Sequence, residues 1–96
     1  MIAGFETEGT ADVFNGSDTK AARKTCPKEL WNVARRRLDA INLALTLGDL
    51  ASPGANLEKL KGNLAGFYSI RINEKYRVIF KFADGMSQRV QIIDYH

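Results

Sequence analysis

The sequence predicts an α+β domain in which helices pack on one face of a small, twisted antiparallel sheet. Apolar residues in the first half recur with a helical period. From Gly66 onward the period changes to two, and short turn signals separate the period-two runs.

Taken in order, Met1 to Phe5 reads as a short edge strand. Ala11-Asp12-Val13-Phe14 reads as a helical turn closed by the turn signal Asn15-Gly16. Asp18 to Thr25 is polar and basic, with Lys20, Arg23 and Lys24, and makes a loop or the leading turn of the next helix. The clearest helix runs from about Pro27 to Thr46, because proline suits a first helical turn. Leu30, Ala34, Leu38, Ile41 and Leu45 fall on one stripe that needs a sheet to cover it. Arg35, Arg36, Arg37 and Asp39 lie mostly outside that stripe and read as a solvated face, and Gly48 is the expected left-handed residue after the last turn. Ala51 to Ala55 is a loop by composition, and Leu57 to Gly62 a short structured connector.

Tyr68, Ile70 and Ile72 form the apolar side of a first strand, and Tyr76, Val78, Phe80 and Phe82 that of a second. A third, about Arg89 to Tyr95, comes after the Asp84-Gly85 turn signal. Opposed residues share a face, so pairing Ile72 with Tyr76, Ile70 with Val78 and Tyr68 with Phe80 makes one face wholly apolar. The same register sets Arg71 opposite Arg77 on the other face. Like charges so placed repel; either solvent screening tolerates them or the two guanidinium groups bracket a phosphate. That second face is expected to be open and basic, a surface suited to an extended polyanion.

Composition narrows the function. Ninety-six residues make one domain, spanning 1–96, whose active site must lie on its surface. A net charge of +3 and a pI near 9.2 favour an acidic or polyanionic partner. The lack of a long apolar run or an export signal points to a cytoplasmic protein with no membrane partner. Cys26, the only cysteine, excludes an internal disulfide and reads as a small helix-entry residue. One histidine, His96, with scattered carboxylates lacks metal-ligand spacing, and Gly62, Gly66 and Gly85 are isolated turn residues rather than a phosphate loop. Neither metal nor other cofactor is expected.

The ordered set Leu57-Glu58-Lys59-Leu60-Lys61-Gly62-Asn63, Gly66-Phe67-Tyr68-Ser69-Ile70-Arg71-Ile72-Asn73, Tyr76-Arg77-Val78-Ile79-Phe80 and Ile93-Asp94-Tyr95-His96 resembles the HigB toxins of the RelE/ParE superfamily. The resemblance covers nearly the whole carboxy-terminal half, and the amino-terminal half fits in layout. It implies a RelE-like fold and a type II toxin that cuts messenger RNA at the ribosome, inhibiting translation and growth. It also implies a cognate HigA-like, helix-turn-helix antitoxin, through which alone operator DNA would be met. Carried over by residue, Arg77 matches the family's sheet arginine, Asp94, Tyr95 and His96 its terminal catalytic segment, and Lys61 a basic position used in some members. Glu58 departs from the pattern, since better-known members carry a histidine there, and this leaves the general base open.

Cleaving RNA without a metal needs a base for the 2′-hydroxyl proton, cationic stabilisation of the phosphorane, and an acid for the 5′-oxygen. Arg77 is the phosphate clamp, with Lys61 and Arg71 adding charge in contact with RNA. His96 is the one side chain that ordinarily titrates near neutrality and is the natural acid or base. Asp94 or Glu58 orients that imidazole or serves as the base, and Tyr95 stacks on a nucleobase or bonds a phosphate. Continuing the alternation from Val90 and Ile92 would place Asp94 and His96 away from Arg77, so a β-bulge at Ile92-Ile93 is expected to bring them back. The competing expectation is a ParE-like toxin that inhibits gyrase by binding and does not require the Arg77, Asp94, Tyr95 and His96 set; a plain RNA-binding domain is a third.

Overall fold

The computed structural model describes residues 1–95. Three helices precede the sheet: α1 (Glu8–Asn15), α2 (Lys20–Thr25) and α3 (Trp31–Leu43). Thr7 and Thr19 cap the first two, each accepting a backbone N–H three residues on, from Thr10 at 3.3 Å and Ala22 at 3.0 Å. Gly16 closes α1 at φ 77°, which a Cβ would disfavour. The predicted turn at 11–14 is thus the middle of a full helix, and the polar segment 18–25 holds a helix of its own. That helix is separated from α3 because Cys26 precedes Pro27 and is held extended at φ −161° and ψ 161°.

α3 ends earlier than its periodicity predicts. Ala34, Leu38 and Ile41 are buried as expected, but Leu45 is 77% exposed. The Asp49 carboxylate accepts the Leu45 and Thr46 backbone N–H groups at 2.9 and 3.1 Å, and Thr46 and Asp49 form a capping box that starts a 3-10 turn at Leu47–Leu50. A side chain that captures these donors competes with another helical turn. Gly48 lies inside the 3-10 turn and is not among the left-handed glycines. The arginine run is also more than a solvated face. Arg35 Nε donates to the Val13 carbonyl at 3.3 Å, and Arg37 donates to the carbonyls of Arg71 and Gly54, tying α3 to the end of the sheet.

Four strands, β1 (Glu58–Lys59), β2 (Tyr68–Arg71), β3 (Tyr76–Ala83) and β4 (Met86–Asp94), form an antiparallel meander in that order. The expected pairing of β2 with β3 is present: Tyr68 faces Phe80, Ile70 faces Val78, and Arg71 faces Arg77. Asp84 and Gly85, at φ 53° and 75°, make the two-residue turn into β4, which therefore begins before Arg89. The amino-terminal segment runs parallel to β4 as two isolated bridges, Ile2 with Ser87 and Phe5 with Val90, rather than as a regular edge strand.

The helices cover one face of the sheet, where Ala34, Leu38 and Ile41 meet Ile70, Ile72, Val78, Phe80, Val90 and Ile92. The opposite face is not simply open and basic. Leu60, Phe67 and Ile79 are buried there, with Leu64, Ile93 and Tyr95 packed around them. The turn and short strand at 57–64 fold back over the sheet and create this second apolar cluster.

Candidate functional site

The bulge expected at Ile92-Ile93 is absent, and β4 carries one earlier instead. Lys81 pairs with Gln88 and Ile79 with Gln91, so β4 carries one extra residue opposite Phe80, and Arg89 there adopts φ 54°. Beyond it the pairing is regular: Ile79 with Gln91, Val78 with Ile92, Arg77 with Ile93 and Tyr76 with Asp94. The bulge thus returns Val90 and Ile92 to the core and fixes the parity of everything after them. Ile93 and Tyr95 share the face of Arg77, whereas Asp94 shares the face of Tyr76 and stands 3.5 Å from Lys75 Nζ, half exposed at the end of the sheet. The juxtaposition of Asp94 with Arg77 expected from the sequence is therefore absent. His96, the other residue expected there, lies outside the described residues.

What does converge is Arg77, Tyr95 and Glu58. Arg77 rises from the middle of the sheet with its side chain only 13% exposed. The Tyr95 ring lies under its guanidinium, 4.8 Å from ring centre to Cζ, and a Glu58 carboxylate oxygen is 3.7 Å from Nη1, too long for a hydrogen bond. Glu58 reaches the site because β1 pairs it with Ser69, which pairs in turn with Ile79 on this same face. Nε and Nη1 of Arg77 are buried and have no hydrogen-bond acceptor among the described residues, and the same is true of Ser69 Oγ. A permanently charged group with unmatched buried donors is poised for an anion, because a phosphate oxygen would satisfy what the chain itself leaves open.

The remaining predicted residues surround this point less closely. Arg71 is opposed to Arg77 as predicted, and its guanidinium makes no hydrogen bond or ion pair among the described residues. Lys61 is exposed, immediately before the 3-10 turn Gly62–Leu64. Sequence reasoning missed two further cations. Lys81 lies on the Arg77 face, as the period of two already required, and Arg89 is aimed by the bulge, which no local signal marks. Nζ of Lys81 and Cζ of Arg89 each stand 5.2 Å from the centre of the Phe67 ring. Cys26 is remote from the site; burial pushes its thiol pKa to about 11 and keeps it unreactive. Among the described residues no group of three His, Cys, Asp or Glu side chains can hold a metal, and no helix is long and apolar enough to cross a membrane.

A family model described as the RelE-like toxin of type II toxin-antitoxin system HigB matches residues 4–96. The chain belongs to the HigB-like toxin family. Toxin HigB-1 of Vibrio cholerae serotype O1 is 40% identical over 62 residues, 64% of this chain. The match spans 65% of that relative, just under two thirds of its length. Endoribonuclease HigB of Proteus vulgaris is 29% identical over 96 residues, covering all of both chains. Among solved structures, the YoeB-YefM complex from Staphylococcus aureus aligns with all of this chain and 98% of its own, at a TM-score of 0.61 and 20% identity. That likeness concerns the fold, and it agrees with helices on one face of a four-stranded antiparallel sheet. The HigB-like assignment thus rests on the sequence of nearly the entire chain, and the RelE-like architecture on the sheet.

Proposed function

We propose that this HigB-like chain is the toxin of a type II toxin-antitoxin pair and acts as a ribosome-dependent endoribonuclease on messenger RNA, cleaving without a metal and halting translation. The observation that carries this reading is Arg77, buried beneath the surface between Tyr95 and Glu58 with two donors unmatched. The name of the Proteus vulgaris relative, an endoribonuclease, supports it.

In the proposed reaction a scissile phosphate sits over Arg77, which bonds its non-bridging oxygens. The RNA 2′-oxygen attacks phosphorus as its proton passes to a base, and the bond from phosphorus to the 5′-oxygen breaks. The products are a 2′,3′-cyclic phosphate and a 5′-hydroxyl, the latter taking a proton from an acid. Glu58, whose carboxylate stands 3.7 Å from the Arg77 guanidinium, takes the part of the base. His96 is assigned the acid on its chemistry alone. Tyr95 holds the guanidinium plane by its ring, and Arg71 and Lys61 add positive potential along the strand entering the site. Asp94, paired across the sheet with Tyr76, is assigned to the ordering of the last strand rather than to proton transfer.

In the cell this activity calls for a cognate helix-turn-helix antitoxin of the HigA kind as inhibitor, with operator DNA reached only through that antitoxin. Primer extension on a messenger RNA after induction tests the reading. The parent chain should produce cuts that require ribosomes and survive chelation of divalent metal, and Arg77→Ala should remove them. Growth arrest with intact messages and inhibited gyrase supercoiling would instead establish a ParE-like mode of action.

A further inference from the structure

We infer that the RNA site continues along the sheet to a second phosphate-binding point built from Lys81 and Arg89 on the buried ring of Phe67. This rests on the reading of Arg77 as a phosphate clamp and extends it. Phe67 is only 8% exposed, and the cations of Lys81 and Arg89 each lie 5.2 Å from its centre. A ring held in the second apolar cluster thus fixes two positive charges that would otherwise sample many rotamers. Lys81 has no carboxylate within ion-pair distance among the described residues, and Arg89 has one, Glu6, reached at 2.8 Å through exposed groups. Glu6 holds the guanidinium in place while solvent weakens the pair, so a phosphate competes for it readily.

Three features argue for a built site rather than scattered surface charge. Arg89 occupies the left-handed region at φ 54°, which the Cβ of any non-glycine residue disfavours, and the bulge that imposes it is what turns Arg89 out of the core pattern. Beside Lys81 lies a cavity of about 260 Å³ lined by Gly66, Lys81, Gln88 and the base of the β3–β4 hairpin. Gly66, at φ +91°, lines this mouth, and a Cβ there would meet Lys81 Cε only at an ordinary contact of 4.0 Å. Four residues of strand separate Lys81 from Arg77, or about 13 Å, and both lie on the same face. A single strand clamped at Arg77 therefore reaches this point with its second or third following phosphate, which a dinucleotide lacks, and Gln88 beside the cavity offers polar contacts to what enters it.

The test uses fluorescein-labelled 2′-O-methyl oligouridylates of two and eight nucleotides, which lack the attacking hydroxyl, titrated with the intact protein at several salt concentrations. The parent should bind the eight-mer more tightly and with a steeper salt dependence. Each lost phosphate contact lowers the single-strand salt exponent by about 0.7, so at 0.1 M salt Lys81→Gln should weaken the eight-mer about fivefold. Arg89→Gln should do the same, and neither should change binding of the two-mer or the melting temperature appreciably. A parent that gains nothing from the longer strand overturns the inference, as does an equal loss on both lengths, which would mark general steering. If instead Arg77→Ala binds both oligomers as the parent does, the reading of the Arg77 clamp fails, a result distinct from silence at Lys81 and Arg89 alone.

Discussion

Replacing Arg77 by methionine should move activity and stability in different directions. The substitution keeps an unbranched apolar stem beside Ile93 and Tyr95 and removes the guanidinium. A buried donor without an acceptor costs about 1–3 kcal/mol, and Arg77 has two among the described residues, Nε and Nη1. Against their removal stand two losses. The Glu58 contact, at 3.7 Å to a carboxylate whose side chain is 44% exposed, is worth under about 1 kcal/mol after solvent screening. The contact with the Tyr95 ring at 4.8 Å contributes about 0.5–2 kcal/mol. Two donors at that cost come to about 2–6 kcal/mol against about 0.5–3 kcal/mol lost, so Arg77→Met should raise the unfolding free energy by about 2 kcal/mol, within a range of about −1 to +5. On the proposed role of Arg77 at the scissile phosphate, its loss should meanwhile lower cleavage about 10²- to 10³-fold. Urea denaturation of both proteins, read beside message cleavage in a ribosome-containing translation extract, measures the two effects on one pair of samples. A variant destabilised by about 3 kcal/mol or more would refute the reasoning, because Arg77 would then be a satisfied structural residue whose loss of activity reports unfolding.

Other consequences of the packing are testable by stability and reactivity. A Cβ on Gly9 would stand 2.0 Å from Thr25 Oγ1 and 2.5 Å from the Ala21 carbonyl, so Gly9→Ala should separate α1 from α2 and lower stability by about 1–3 kcal/mol in a urea titration; a neutral result would mean that the helices part easily. Thr10 is fully buried, and its hydroxyl accepts the Ile92 N–H at 3.0 Å; Thr10→Val should cost about 1–3 kcal/mol, and amide exchange at Ile92 should accelerate. Because burial raises the Cys26 thiol from 9.0 to about 11, thiol reagents at pH 8 should label it only on unfolding, at a rate set by urea. The unfolded chain ionises first, so this group's contribution to stability is complete below pH 9.0 and declines as pH rises towards about 11. Fast labelling of the native protein at pH 8 would contradict the burial.

Local chemistry sufficed for the class of the fold and for much of its register. A period of two can be paired in only one way that leaves one face apolar, which is why Tyr68 with Phe80, Ile70 with Val78 and Arg71 with Arg77 were legible in the sequence. Turn residues that tolerate positive φ placed the Asp84-Gly85 hairpin and the end of α1. Motif order along the chain identified the family and named Arg77, Tyr95 and Glu58, which meet, along with Asp94, which stands on the other face.

Other features depend on groups that come together only in the folded chain. α3 stops at Leu43 because Asp49, several residues further on, captures its next donors. The second apolar cluster forms because Leu60 and Leu64 fold back onto Phe67 and Ile79. The side of the sheet taken by Asp94 was decided by one extra residue at Arg89, since a single insertion inverts every side chain beyond it. Thus sequence alone determined which residues are available for the chemistry, being carried by composition and local periodicity. Which of them share a face with Arg77 was left to tertiary structure, because strand parity is set by the position of a bulge that no short window of residues reveals.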